Sequence, residues 1–143
     1  MSSSLWIMWA LLSAFFAALT AIFAKIGVQN IDSDFATLIR TAIVLIVLAL
    51  FVFATGKLSN PLVLSTRSWI FLTLSALATG ASWVCYFRAL QLGDVAKVAP
   101  IDKLSVVLVA IFASCFLGEQ QSLREWFGIG LVAIGVLVLA FKP

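Results

Sequence analysis

Five long apolar stretches fill nearly all of this 143-residue sequence, and they restrict its fold more than any other feature. A bilayer core of about 30 Å is crossed by about 20 apolar residues in a helix, whose backbone amides are satisfied within the segment. The apolar runs are continuous, whereas the strands of a membrane barrel alternate apolar and polar residues. We therefore expect an all-α integral membrane protein with five transmembrane helices. They should cover about residues 5–24, 35–54, 68–90, 95–117 and 126–141.

The connections between the five spans are short, so consecutive helices should be antiparallel neighbours within a single domain, residues 1–143. An odd number of spans would place the N- and C-termini on opposite sides of the membrane. Local signals mark the ends of two spans. Asp32 or Asp34 is suited to capping span two, and Gly56 and Gly118 stand where spans two and four should end.

The composition argues against several classes of function. The net charge is +3, but no dense Lys/Arg tract is present, so we expect no nucleic acid partner. The sequence has no histidine, and Cys85 and Cys115 lack metal-ligand spacing, so we expect neither a metal nor another cofactor. It also has no set of paired carboxylates or of nucleophile and base, so we do not expect an enzyme.

The densest group of charged and helix-breaking residues lies in the first turns of span four, at Lys97, Pro100, Asp102 and Lys103. Pro100 cannot donate a hydrogen bond to the carbonyl of Ala96, so the helix should bend there and expose an acceptor. Transporters use broken or bent helices with free backbone groups to form solute sites. Asp102 and Lys103 are adjacent, about 100° apart around a helix, so they should not pair with each other.

We instead expect one of the two to meet a charge from another span, with Arg40 or Lys25 as the candidate partner for Asp102. Arg40 lies well over a turn into span two and shares a face with Thr37 and Thr41 by helical spacing. Two interpretations of Arg40 are open. It is either an arginine that reaches the lipid headgroups or part of a polar stripe that faces a cavity.

Span three carries an aromatic face formed by Trp83, Tyr86 and Phe87, with Arg88 close by. Aromatic residues near the end of a span often anchor it at the membrane interface. The alternative is an aromatic wall beside the bend at Pro100, which would suit a flat or cationic organic solute. Both interpretations stay open.

An ordered set of sequence pieces covers nearly the whole chain: Trp9–Lys25, Thr37–Arg40, Tyr86–Pro100, Leu104-Ser105, Phe116–Glu119 and Trp126–Val136. This set resembles the EamA repeat of the drug/metabolite transporter superfamily. The usual member of that family has ten helices in two inverted five-helix repeats around a central solute cavity. This chain resembles one repeat, which implies a half-size member whose two copies would rebuild the inverted pair as an antiparallel homodimer. In the family the region around Pro100 lies beside the cavity.

Two hypotheses about function follow. The first is a multi-pass secondary transporter in the plasma (inner) membrane of a prokaryote, which moves small organic metabolites or drugs across the lipid bilayer by alternating access as a homodimer. The second is a non-transporting accessory subunit of a larger membrane complex. In the first hypothesis, the residues that bind the solute or gate its cavity are Arg40, Trp83, Tyr86, Lys97, Pro100, Asp102 and Lys103.

Overall fold

The structure, a computed structural model, describes residues 5–60 and 63–140. Within these ranges it consists of six α-helices and one π-helical turn, with no strand. Five segments are long and apolar enough to cross a membrane, because the fourth of them combines two short helices and the π-helical turn. The prediction of an all-α protein with five spans is confirmed. The elements are α1 Leu5–Gly27, α2 Ser33–Ala54, α3 Thr66–Leu92, α4 Val95–Asp102, α5 Ser105–Phe112, the π-helical turn Ala113–Leu117 and α6 Leu123–Ala140.

The helices belong to two compact units, Met1–Leu92 and Gly93–Pro143. In the first unit, α3 packs against both α1 and α2. In the second unit, α6 packs against both α4 and α5. Each unit is therefore organised around its last helix.

The cap of α2 shows how local sequence sets a helix boundary. The Oδ1 atom of Asp32 accepts hydrogen bonds from the backbone N–H groups of Asp34 at 2.9 Å and Phe35 at 3.0 Å. These N–H groups have no partner within the helix, so an acidic side chain at this position stabilises the first turn. Of the two candidate caps, Asp32 is the one used, and α2 begins at Ser33.

Glycines in the left-handed conformation end α2 and the fourth span, as their positions predicted. Gly56 has φ 65° and Gly118 has φ 68°. A residue without Cβ adopts this conformation without strain, and the turn returns the following N–H groups to free carbonyls of the helix. The N–H of Lys57 donates to the carbonyl of Val52 at 3.1 Å.

Four spans are longer than their apolar runs predicted, α2 among them because it begins at Ser33. α1 continues to Gly27, and α3 covers Thr66–Leu92. α6 begins at Leu123, because the carboxylate of Glu125 accepts hydrogen bonds from the backbone N–H of Ser122 at 2.6 Å and from its hydroxyl at 2.8 Å. Polar residues satisfied in this way extend a helix beyond its apolar run. The predicted last residue of the fifth span, Phe141, lies outside the described residues.

The core of the first unit is small and lies where the α1–α2 connection meets the C-terminal end of α3. Val28 and Leu90 are 0% exposed and Phe87 is 3% exposed. By contrast, only 6% to 11% of each spanning window is buried inside the chain. Most of the apolar surface therefore faces lipid or other protein.

Candidate functional site

A groove of about 380 Å³ in the first unit is lined by α1, α2, the connection between them and one residue of α3. Apart from Arg40 and Thr20, its lining consists of apolar side chains and Gly27. Arg40 is the only charged residue of that lining, and we call this feature the Arg40 groove. Its lining residues are Thr20, Phe23, Ala24, Gly27, Ile31, Ala36, Ile39, Arg40, Ile43, Val44 and Phe87.

The guanidinium group of Arg40 is held against α3 by aromatic rings. Its Cζ atom lies 4.3 Å from the ring centroid of Trp83 and 5.5 Å from that of Phe87. Both distances are within the range of cation–π contacts. Two predicted site residues, Arg40 and Trp83, are thus brought together. The contact supports a cavity-facing arginine over one that reaches outward to headgroups.

Two further contacts tie α3 to the other helices of the first unit. Arg88 forms a two-point ion pair with Asp34, with Nε–Oδ1 at 3.1 Å and Nη2–Oδ2 at 2.5 Å. Lys25 donates from Nζ to the carbonyl oxygen of Leu90 at 2.6 Å. Such charge-assisted bonds have a fixed geometry, so they hold the start of α2 and the end of α1 beside the end of α3.

Neither contact was predicted from the sequence, although one signal for the ion pair was present. Asp34 lies in the first turn of α2, and Arg88 lies near the end of α3. Consecutive helices joined by a short connection run antiparallel, which places the start of one and the end of the next on the same side of the membrane. Opposite charges at those positions are expected to pair there. The contact of Lys25 with a backbone carbonyl has no comparable signal in the sequence.

Tyr86 lies one turn after Trp83 on α3 and is half-buried. It is not among the residues that line the Arg40 groove. Of the aromatic face predicted for span three, Trp83 and Phe87 contact Arg40 through their rings, and Tyr86 interacts electrostatically with its charge. A direct role for Tyr86 in binding stays a prediction.

In the second unit, the charged residues predicted for the site pair with near neighbours. Lys97 Nζ lies 3.5 Å from Asp94 Oδ2, and Lys103 Nζ lies 3.1 Å from Asp102 Oδ2. The expectation that Asp102 and Lys103 would not pair with each other was wrong, whereas a charged partner from another span stays a prediction. α4 ends at Asp102, and the long lysine side chain reaches back across the angle that separates adjacent residues.

Span four is interrupted in the region of Pro100, but the interruption follows the proline. Hydrogen bonds of the i to i+3 type join the N–H of Lys103 to the carbonyl of Pro100 at 2.9 Å and the N–H of Leu104 to that of Ile101 at 3.0 Å. α5 starts only at Ser105. The helix therefore changes its hydrogen bonding just after Pro100, and a bend that exposes the carbonyl of Ala96 stays a prediction. The π-helical turn is a second irregularity in the same span.

A second groove, of about 450 Å³, lies in the second unit between α5, α6 and the connection before α6. Two carboxylates line it, those of Glu119 and Glu125. Glu125 is engaged by Ser122 at the start of α6. Glu125 therefore stabilises a helix end, and the groove itself is otherwise mostly apolar. Its lining residues are Val106, Val109, Ala110, Ala113, Glu119, Gln121, Glu125, Gly128, Ile129 and Val132.

The predicted site residues thus divide between the two units. The first unit contains Arg40, Trp83 and Tyr86, and the second contains Lys97, Pro100, Asp102 and Lys103. Within the first unit, the geometry provides one cation backed by aromatic rings in an apolar groove. Such an arrangement is suited to binding an organic molecule with an anionic group.

Comparison with known proteins identifies the family. The sequence profile described as the EamA-like transporter family matches residues 4–141, which include parts of both units. An uncharacterised transporter in the cobO 3′ region of a Sinorhizobium species is 60% identical over 138 residues, covering 96% of this chain and 98% of the relative. No solved structure gives a significant match.

Half-size relatives with named roles are more distant. A probable 4-amino-4-deoxy-L-arabinose-phosphoundecaprenol flippase subunit ArnE of Hamiltonella defensa is 26% identical over 104 residues, covering 66% of this chain and 92% of the relative. The ArnE protein of Yersinia pestis is 28% identical over 76 residues, covering 53% of this chain and 65% of the relative. With the profile matched across nearly its whole length and five spanning helices in place, the chain belongs to the EamA-like transporter family.

Proposed function

We propose that this membrane protein is a secondary transporter that moves small organic metabolites or drugs across the plasma (inner) membrane of a prokaryote. The observation that carries the proposal is the Arg40 groove, a membrane-embedded recess with one cation held by Trp83 and Phe87. Solute sites in transporters are formed by such recesses among spanning helices. The solute would cross without chemical change.

We further propose that two copies act together as a homodimer by alternating access. No more than 11% of any spanning window is buried inside one chain, so each copy offers large apolar faces for packing. The resemblance to one repeat of a ten-helix transporter implies an antiparallel arrangement of the two copies. In that dimer the grooves of both copies would be available to a solute from alternate sides.

A second candidate function is that of an accessory subunit, and one observation favours it. The relatives from Hamiltonella defensa and Yersinia pestis are named as subunits of a flippase, so those proteins are described as parts of an assembly. In that case this chain would purify with a different membrane protein, and it would not transport a solute by itself.

Reconstitution of the purified chain separates the two candidates. Liposomes are loaded with a bacterial metabolite extract, and the compounds released are identified by mass spectrometry against protein-free liposomes. The transporter proposal requires release of specific compounds with unchanged masses, and native mass spectrometry should show a dimer. Arg40→Gln should reduce the release, while Arg67→Gln, which removes a cation outside the Arg40 groove, should not. A folded dimer that releases nothing above the protein-free control would support the accessory subunit.

A further inference from the structure

We infer that the Arg40 groove binds the anionic head of a lipid-like molecule, a single acidic group attached to a hydrocarbon chain, which enters from the bilayer. This inference names a substrate class for the proposed function, and it depends on that function only for the step from binding to transport. Three observations support it: the interaction partners of Arg40, the residues that line the groove, and the position of the arginine along α2.

Arg40 forms no ion pair or hydrogen bond with an oxygen partner among the described residues, and it differs from Arg67 and Arg124, which also form none, in that it lines the groove. The cations that have such a partner are Lys25, Arg88, Lys97 and Lys103. Arg40 instead contacts the rings of Trp83 and Phe87, which engage its charge but accept no conventional hydrogen bond from its five N–H donors. An ionised side chain at membrane depth is costly unless it meets an opposite charge or water. The groove therefore holds a half-buried cation that is ready to bind an anion.

The rest of the lining decides which kind of anion fits. Beside Arg40, the only polar side chain is that of Thr20. A sugar phosphate or an amino acid would bring several polar groups that find no partners in such a groove, which is unfavourable. A hydrocarbon chain matches the exposed faces of Phe23, Ile39 and Ile43, which are 65%, 41% and 56% exposed. The lining thus favours one acidic group and a long apolar chain.

The position of Arg40 agrees with a molecule that comes from the membrane. Arg40 follows the first residue of α2, Ser33, by seven positions, which is about 10 Å along the helix axis. At this depth the acidic group remains in the outer part of a core of about 30 Å, while its chain extends toward the centre. A water-soluble anion would have no equivalent reason to prefer this depth.

Dodecyl phosphate is a suitable probe, because it has one acidic head and one saturated chain. The full-length protein in dodecyl maltoside is titrated with it, and the rise in melting temperature gives the apparent dissociation constant. Dodecyltrimethylammonium, with the same chain and the opposite charge, and inorganic phosphate, with the charge and no chain, are titrated in parallel. We expect dodecyl phosphate to bind at least about tenfold more tightly than either.

Variants locate the binding site. Arg40→Gln should weaken dodecyl phosphate binding about tenfold or more, because the charged hydrogen bonds are lost, whereas Arg40→Lys should retain more than half of the stabilisation. Arg67→Gln is the matched control, since Arg67 also lies over a ring, that of Phe71 at 5.9 Å, but does not line the groove.

A steric variant keeps the inference testable if Arg40→Gln does not fold. A Cβ added at Gly27 meets nothing within 4 Å, so Gly27→Leu should fold and fill part of the groove while leaving Arg40 in place. It should weaken dodecyl phosphate binding about tenfold. Gly80→Leu, at an equally open position outside the groove, should bind as the parent protein does.

The outcomes separate the two proposals. Equal binding of dodecyl phosphate by the parent, Arg40→Gln and Gly27→Leu would overturn the inference, as would equal binding of inorganic phosphate or of the cationic probe. No binding of dodecyl phosphate to the dimer would also overturn it, since the groove would then be filled by the second copy. Binding is measured independently of flux. A failure to bind dodecyl phosphate would therefore leave open the transport of other solutes, and an absence of flux would not contradict a positive binding result.

Discussion

In the first unit the charged side chains join helices that are far apart in the sequence, whereas in the second unit they pair with near neighbours. Lys25 contacts the carbonyl of Leu90 across 65 positions, and Arg88 contacts Asp34 across 54. Together with the contact of Arg40 and Trp83, these bonds fix the helices of the first unit at the end where its core also lies.

In the second unit the ion pairs are local, and a hydrogen bond from the hydroxyl of Ser114 to Oε1 of Gln121 joins the π-helical turn to the connection before α6. The pairs Lys97–Asp94 and Lys103–Asp102 each lie within four positions, and neither joins α4 or α5 to α6. The fourth span is moreover interrupted twice, after α4 and at the π-helical turn. No ion pair among the described residues joins the fourth span to α6, and apolar contacts between helices tolerate sliding better than directed charged bonds do. We expect the first unit to be the rigid part of a transport cycle and the second the part that rearranges.

The largest expected effect tests whether the stability of the first unit depends on the end where its core and its long-range polar contacts lie. Leu90→Ala should lower the free energy of unfolding by about 2 kcal/mol, because it leaves a cavity in the core. This value is in the lower part of the range for a buried leucine, since the unfolded chain in a micelle exposes the side chain to detergent and not to water. Leu90 is 0% exposed, whereas Leu77 on the same helix is 67% exposed. Leu77→Ala is thus the matched control, and unfolding in mixed micelles with SDS gives both values. An equal loss of unfolding free energy in the two variants would show that this end of the first unit does not contribute more to its stability than the rest of α3 does.

The sequence predicted the ends of the spans better than it predicted the long-range contacts of the first unit. The cap at Asp32 and the left-handed turns at Gly56 and Gly118 depend on residues within one helical turn, so local rules predicted them. The ion pair of Arg88 with Asp34 depends on which helices are neighbours and on their rotation, which hydrophobic patterns do not determine. The sequence therefore singled out Arg40 and Trp83, which are in contact, but not the ion pair that joins α3 to α2.

The pair formed by Asp102 and Lys103 shows a different limit. Helical geometry correctly separates the two Cβ directions, but the prediction considered only these directions and not the length of the lysine side chain. In the structure the helix ends at Asp102, and four methylene groups let Lys103 reach the carboxylate. Rules for backbone direction thus fail where a helix is interrupted and a flexible side chain is involved.

The next largest loss of stability should be the same in both units, because it depends only on the backbone conformation of one glycine in each. Gly56→Ala in the first unit and Gly118→Ala in the second should each lower the free energy of unfolding by about 1 kcal/mol, since an added Cβ opposes their positive φ angles of 65° and 68°. Gly80→Ala, at an open position inside α3, should instead be neutral or stabilising. If Gly118→Ala alone were costly, the fourth span would be held by its C-terminal turn, and the second unit would be less mobile than we propose.

The contact between Arg40 and Trp83 should give a smaller but measurable coupling. A double-mutant cycle with Arg40→Gln and Trp83→Leu, measured by unfolding in mixed micelles, should show a coupling energy of about 0.5–1 kcal/mol, as is usual for a partly exposed cation–π contact. The guanidinium lies 4.3 Å from the ring centroid, which is a favourable distance. A coupling energy of zero would mean that the ring of Trp83 lies beside Arg40 without stabilising it. The first unit would then have one long-range contact fewer that contributes to its stability.

The smallest effect on stability is expected for the pair of Asp102 and Lys103, whose side chains are 36% and 56% exposed. A double-mutant cycle with Asp102→Asn and Lys103→Gln should give less than about 0.5 kcal/mol, because exposed pairs of neighbouring charges contribute little. The cycle of Asp94→Asn with Lys97→Gln, another local pair, is the matched control and should give a similarly small value. Flux measured on the same variants should nevertheless fall for Asp102→Asn, since a weakly coupled charge beside an interrupted helix is free to change partners as the second unit rearranges. A coupling as large as that of Arg40 with Trp83, or flux unchanged in both variants of the pair, would contradict the assignment of the second unit as the moving part.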